Sequence, residues 1–175
     1  MDTIQLLRVL KMDDRTRPYV GGVFPADGLP TVKTYPRVFI ANTEIKGLPG
    51  QHWVAMYFSK AGVGEFFDSY GEDPRVYGPH FNKFLTDNGE QWKHNKICLQ
   101  SFDTAVCGQY CLFYCLHRCR NISMEKIVST FSSDKLMNDL AVHDYIETLY
   151  DVRVPISAQE FICNQICIPK QKVIF

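Results

Sequence analysis

Residues 107–116, CGQYCLFYCL, are apolar at nearly every position. A surface helix carries one apolar stripe; a helix that is apolar all round has to be enclosed by the rest of its domain. Polarity returns at His117 and Arg118, and Asp103 and Thr104 upstream are capping residue types, so a central buried helix is expected over 104–119 with Thr104 at its N-cap. The same segment spaces cysteines at 107, 111, 115 and 119. They can be read as buried structural thiols, as metal ligands, or as one reactive nucleophile among inert neighbours.

The chain has enough apolar material to enclose such a helix. Of its 175 residues 46% are hydrophobic and 13% aromatic, which suits a single domain over 1–175. Ile4, Leu7 and Leu10 share a helical face in 3–11. Residues 18–36 hold four of the nine prolines and three glycines, and read as a loop. RVFIANT (37–43) reads as a strand. HWVAMYF (52–58) and GEFFDSY (64–70) read as a hairpin turning through Ser59–Val63, where Gly62 favours the reversal. A short helix ending at Asn88-Gly89 follows within 77–89, then a strand over 93–100. SMEKIVSTFSS and NDLAVHDYIETLYD read as two more helices, and Val152, Val154, Ile156 and the terminal KVIF as short strands. The fold class is α+β: a small, mostly antiparallel sheet packed against helices, with the buried helix at the centre.

Charge narrows the partners. The formal net charge is zero, so nothing draws the chain as a whole toward nucleic acid or anionic lipid, and Lys170 and Lys172 read as solvated surface. No stretch reaches the about 18–20 apolar residues of a membrane span. The opening MDTIQLLRVLKMDD is acidic at position 2 and does not read as a secretory signal. An intracellular, reducing location is therefore expected. Seven cysteines (98, 107, 111, 115, 119, 163, 167) then read as thiols, and the Asn121-Ile122-Ser123 sequon as chance.

Cys107 differs from the other cysteines in position. With Thr104 as cap it falls in the first helical turn, where free backbone N–H groups and the positive end of the dipole favour a thiolate. Gly108 beside it lacks a side chain, which is expected to let a substrate backbone approach. Cys111, Cys115 and Cys119 lie along the helix below and read as core. A zinc site would draw pairs from two segments, with 163 and 167 as the second pair, and nothing in the sequence brings those segments together.

A cysteine nucleophile needs a base and a group to orient it. His52 stands at the mouth of a strand and is followed by Trp53, a shield against water. With the hairpin centred near 61, position 68 faces 54, and 52 shares a strand face with 54. Asp68 is thereby brought within a pleat of His52, provided the register does not slip. Glu65 and Glu72 are competing acids, and Glu65 is too far along the hairpin. The Cys107 amide and the Gln100 side chain, seven residues upstream, are candidate donors to an oxyanion.

The ordered set His52-Trp53, Asp68, Gln100, Cys107-Gly108 resembles the adenovirus endopeptidase (adenain) family and its relatives in Polinton/Maverick elements. LLRVLKMDDRTRPYVGGVFP and VFIANTEIKGLPGQHWVAMYF are similar to that family's N-terminal helix and loop and to its segment leading to the histidine, so the likeness spans roughly residues 4–150. The resemblance implies an adenain-like, SUMO-protease-like cysteine protease fold. It implies catalytic His52, Asp68, Gln100 and Cys107, with Trp53 and Gly108 at the substrate. It implies cleavage of viral or virus-like capsid precursors beside small residues, often Gly, in the host nucleus or virion. No cofactor is needed for the chemistry. A capsid-derived activating peptide and DNA are implied as partners, although zero net charge lends DNA little support. Two alternatives stay open: a protease that deconjugates a ubiquitin-like protein, a branch that shares the acid Asp68, and a decayed protease serving as a binding module.

Overall fold

The computed structural model describes residues 1–60 and 62–150. The strand expectations at Val152, Val154, Ile156 and 172–175, together with Cys163, Cys167, Lys170 and Lys172, lie outside the described residues. In chain order the elements are α1 (Thr3–Met12), β1 (Val20–Phe24), β2 (Arg37–Asn42), β3 (Trp53–Lys60), β4 (Val63–Phe67), α2 (Pro79–Asn88), β5 (Gln91–His94), α3 (Cys107–Arg118), α4 (Met124–Val128) and α5 (Lys135–Tyr150).

The strands form one sheet in the order β1-β2-β3-β4-β5. β2–β3 and β3–β4 pair antiparallel, whereas β1 and β5 pair parallel with their neighbours. The expected mostly antiparallel sheet is therefore antiparallel at its centre and parallel at both edges. The cause at β5 is α2, which carries the chain back across the sheet, the kind of crossover a parallel pair requires. β1 corrects the reading of 18–36 as loop throughout. Its glycines serve close approach: a Cβ on Gly21 would sit 2.2 Å from Cε1 of Phe39, and Gly22 has φ +139°. β5 is also shorter than expected and ends at His94, leaving 95–100 without strand pairing.

Period-2 alternation sends the sheet's side chains to two cores. On one face Val38, Ile40, Ala55, Tyr57 and Phe67 pack with α1, α3, α4 and α5. On the other, Phe39, Ala41, Met56, Phe58 and Phe66 pack with Phe81, Phe84 and Leu85 of α2. The α+β reading with a central buried helix holds: α3 buries every residue from Cys107 to Leu116. Tyr114 stacks on Phe67 of β4 at 4.5 Å and 7°. Each such side chain removed from water contributes roughly 1.5–3 kcal/mol.

At α1 a capping box starts the helix, with Asp2 and Gln5 bonding each other's backbone amides at 2.9 and 2.8 Å. Its buried stripe is Leu6, Val9 and Leu10, not the expected Ile4, Leu7 and Leu10; Ile4 is 77% exposed. α3 begins at Cys107 with Val106 as N-cap, so Thr104 is not the cap. The Thr104 hydroxyl is engaged instead by Asp139, at 2.7 Å. Cys107 becomes the first residue of the helix, and the N–H groups of that first turn have no helical acceptors.

Candidate active site

The β3–β4 register pairs Ala55 with Phe67 and Phe58 with Gly64. Continued by one residue, it sets position 68 opposite 54, as the turn position predicts. His52 Nε2 and Asp68 Oδ1 are 2.6 Å apart, with His52 7% exposed and Asp68 fully buried. That bond leaves Nδ1 as the ring nitrogen available to Cys107, the thiol on which His52 acts most strongly.

Asp68 is held on every side. Oδ1 also accepts from the Tyr70 amide at 3.1 Å. Oδ2 accepts from the Glu72 amide at 3.0 Å and the Tyr77 hydroxyl at 2.8 Å. Asn95 pairs both backbone groups of Asp68, accepting from its N–H at 2.9 Å and donating to its C=O at 2.7 Å. In effect a side-chain amide extends the β4–β5 ladder by one residue. The His52 ring stacks on Tyr70 at 4.8 Å and 27°, and Tyr77 lies 5.7 Å away. Of the competing acids, Glu65 is committed to Arg118 Nε (2.8 Å) and the Tyr114 hydroxyl (2.6 Å), and Glu72 serves Asp68 through its backbone.

These contacts set the charge states. Burial pushes His52 toward the neutral form, but the hydrogen bond to Asp68, the bond to Cys107 and the charges of both outweigh it and raise its pKa to about 9. At Cys107 burial pushes the thiol up; the His52 hydrogen bond and charge, then the Trp53 amide bonded to the sulfur, hold it below its ordinary value. Both shifts favour a thiolate–imidazolium pair. Cys111 and Cys115 are fully buried without such partners, and burial raises both well above the ordinary thiol range. Burial likewise raises half-buried Cys119, to about 11. Among the described residues no group of three His, Cys, Asp or Glu is placed to hold a metal ion.

Gln100 is fully buried, and the structure ties it in place. Leu99 and Gln100 amides both donate to Ser69 O, at 2.8 and 3.1 Å. Oε1 accepts from the Ser69 hydroxyl at 2.7 Å, and Nε2 donates to Thr104 O at 2.9 Å. Nε2 also lies 3.3 Å from Thr104 Oγ1, so both acceptors of Thr104 stand on the NH2 side of the amide. Trp53 donates its indole N–H to Met1 O at 3.1 Å and lines a cleft of about 450 Å³ with Phe24, Asn42, Ile45 and Leu48. Packing is close at Gly108. A Cβ there would lie 3.3 Å from both Leu6 and Met1 and 3.5 Å from Trp53. Its bare Cα lets α1 and the indole close against α3.

The sequence reading missed Ser69, Tyr70, Tyr77, Asn95 and Asp139, and took Thr104 for a helix cap. Ser69 and Tyr70 adjoin Asp68 in the chain and were within reach of the hairpin argument. Asn95, Tyr77 and Asp139 arrive from other elements, and no local pattern marks them.

No protein-family model matches the chain, and no curated protein matches its sequence. Among solved structures, the central domain of the uncharacterized Lpg1148 protein from Legionella pneumophila superposes with TM-score 0.50 at 14% identity, over 87% of this chain and 98% of that one. The crystal structure of the ASFV pS273R protease matches with TM-score 0.42 at 26% identity, over 61% of this chain. The chain spans 43% of that protease's length. No membrane-crossing helix, by length and apolarity, occurs among the described residues. The likeness to the Legionella domain is one of fold: a mixed sheet with helices on both faces.

Proposed function

We propose that the chain is a cysteine endopeptidase with Cys107 as nucleophile, His52 as acid and base, Asp68 orienting the imidazole, and Gln100 with the Cys107 amide as oxyanion donors. The observation that carries this reading is the buried imidazole held by Asp68 at 2.6 Å on Nε2, with the thiol of Cys107 held below its ordinary value by that same ring. Burial of all three groups makes the coincidence costly to maintain without a use.

In this reading the thiolate attacks the scissile carbonyl carbon, and the carbonyl oxygen takes up the negative charge between its two donors. The C–N bond breaks as Nδ1 of His52 gives its proton to the leaving amine. The acyl group stays on sulfur as a thioester. Water then attacks that thioester, giving its proton to the now neutral His52, and the acid product leaves with the thiol restored as thiolate.

Capsid precursors of a virus or virus-like element, cut beside glycine, are the substrates this reading names, with host nucleus or virion as the place. An activating peptide and DNA belong to the same reading, which needs no cofactor for the chemistry. Purified protein is incubated with an internally quenched peptide carrying Gly on both sides of the scissile bond, with co-encoded capsid proteins, and with a panel of ubiquitin-like fusions. Cleavage of peptide and capsid protein that Cys107→Ala abolishes supports the reading. Cleavage of the fusions alone turns it to deconjugation. Cleavage that survives Cys107→Ala overturns it.

A further inference from the structure

Asp139 lies on α5 with only 4% exposure, far from the triad in sequence. Its bonds come from neutral donors. Oδ2 accepts from the Ser101 amide at 3.1 Å and the Thr104 hydroxyl at 2.7 Å, and Oδ1 from the Tyr110 hydroxyl at 2.8 Å. A buried carboxylate whose hydrogen-bond donors are all neutral is costly to keep ionised, and the charge of Lys135 relieves that cost only in part. Burial accordingly raises the Asp139 pKa, an effect its three bonds only partly offset. A site built for packing alone would not need such a group.

Its position explains what it does. Ser101 and Thr104 frame the turn that carries the chain from Gln100 toward Cys107. The Thr104 hydroxyl has one proton, and the carboxylate takes it. The lone pairs of that oxygen then face Gln100 Nε2, 3.3 Å away, beside the Thr104 carbonyl at 2.9 Å. Two acceptors on that side admit only the NH2 end of the Gln100 amide, while the Ser69 hydroxyl holds the oxygen end at 2.7 Å. The chain Asp139–Thr104–Gln100–Ser69 thus fixes which way the amide points. It also joins α5 to the residue that follows Asp68.

We propose that Asp139 is a positioning residue that orients the NH2 group of Gln100 toward the oxyanion formed at Cys107. The inference rests on the protease reading above and goes beyond it by making the oxyanion donor dependent on a carboxylate from α5. Asp139→Ala removes the acceptor that Ser101 and Thr104 share, and so frees the Thr104 hydroxyl and with it the amide.

The test uses the full chain and the quenched Gly-flanked peptide. Gln100→Ala is expected to lower kcat about 100-fold, and Asp139→Ala about 30-fold. KM should stay within about twofold, as expected for an interaction made only in the transition state. The double variant should be no slower than Gln100→Ala within about twofold, because both changes remove one unit. Alkylation of Cys107 by iodoacetamide passes through no oxyanion, so Asp139→Ala should leave it within about twofold of wild type. Losses that multiply in the double variant, an unchanged kcat, or a parallel loss of alkylation would overturn the proposal. Should Asp139→Ala fail to fold, Thr104→Val cuts the same link and has to give the same pattern. A readout that needs no turnover is 15N NMR of the Gln100 side-chain amide, whose protons should exchange at least about tenfold faster in the variant. A wild-type chain that cleaves nothing sinks the protease reading, whereas unchanged Gln100 exchange sinks this inference alone.

Discussion

One helical turn separates Cys107 from Cys111 on α3, yet their sulfurs are held in opposite states. At Cys111 burial raises the thiol well above its ordinary pKa. At Cys107 burial acts in the same direction, but the hydrogen bond and charge of His52 overcome it and hold the thiol low. Helix, residue type and burial are nearly the same at the two positions. What differs is a neighbour delivered by β3, and a helix end that leaves N–H groups free at Cys107 and paired at Cys111. Reactivity here belongs to the meeting of a strand mouth with a helix start, and the cysteine stripe itself is packing.

The sharpest break in that comparison is removal of each member in turn. Cys107→Ala is expected to lower peptide hydrolysis by about 10⁴-fold or more, since no other group can form the acyl intermediate. Asp68→Asn should follow at about 10³-fold, because an amide facing His52 Nε2 favours the wrong tautomer. In the same variant the His52 pKa should fall from about 9, which ¹⁵N titration of the imidazole reads directly. Tyr77→Phe keeps the ring beside His52 and removes only the donor to Asp68 Oδ2, 2.8 Å away. A bond to a charged group of this kind contributes about 1.5–3 kcal/mol, so a loss of about tenfold or more in kcat is expected. Cys111→Ala should leave kcat/KM within about threefold and cost about 1–2 kcal/mol of stability, read as a lower Tm, because it opens a small cavity in the core. A Cys111→Ala chain that loses hydrolysis as Cys107→Ala does would erase the distinction between the two thiols.

The parts of this site that were legible in the sequence share a cause. The hairpin turn fixes its own register, so the meeting of His52 and Asp68 follows from counting along two adjacent strands. The apolar run at 107–116 fixes α3 as the centre of the core. What was misread lay where a residue type has two uses. The glycines at 21 and 22 signal turns in most chains, but here they admit the rings of Phe39 and Phe24 to an edge strand. Thr104 is a good capping residue whose hydroxyl is claimed by Asp139, 35 positions away. Gln100 looked like the end of a strand, yet β5 stops at His94 and hydrogen bonds to Ser69 carry the segment onward. Long-range hydrogen bonds decide these cases, and local pattern carries no record of them.

The central claim is the thiolate–imidazolium pair, and the pH dependence of reactivity tests it most directly. The competent form exists above the depressed Cys107 pKa and is lost as His52 gives up its proton at about 9. Hydrolysis should therefore rise on an acid limb below the ordinary thiol range and fall on an alkaline limb near pH 9. The decisive measurement is the iodoacetamide rate at Cys107, mapped by peptide mass spectrometry from about pH 5 to 8 beside free cysteine, whose thiolate fraction near pH 6.5 is about 1%. The account predicts that Cys107 is alkylated faster than free cysteine at pH 6.5 and gains less than free cysteine does as the pH rises, with the advantage lost in His52→Ala. A rate that tracks free cysteine across the range, or that is indifferent to His52→Ala, would contradict it.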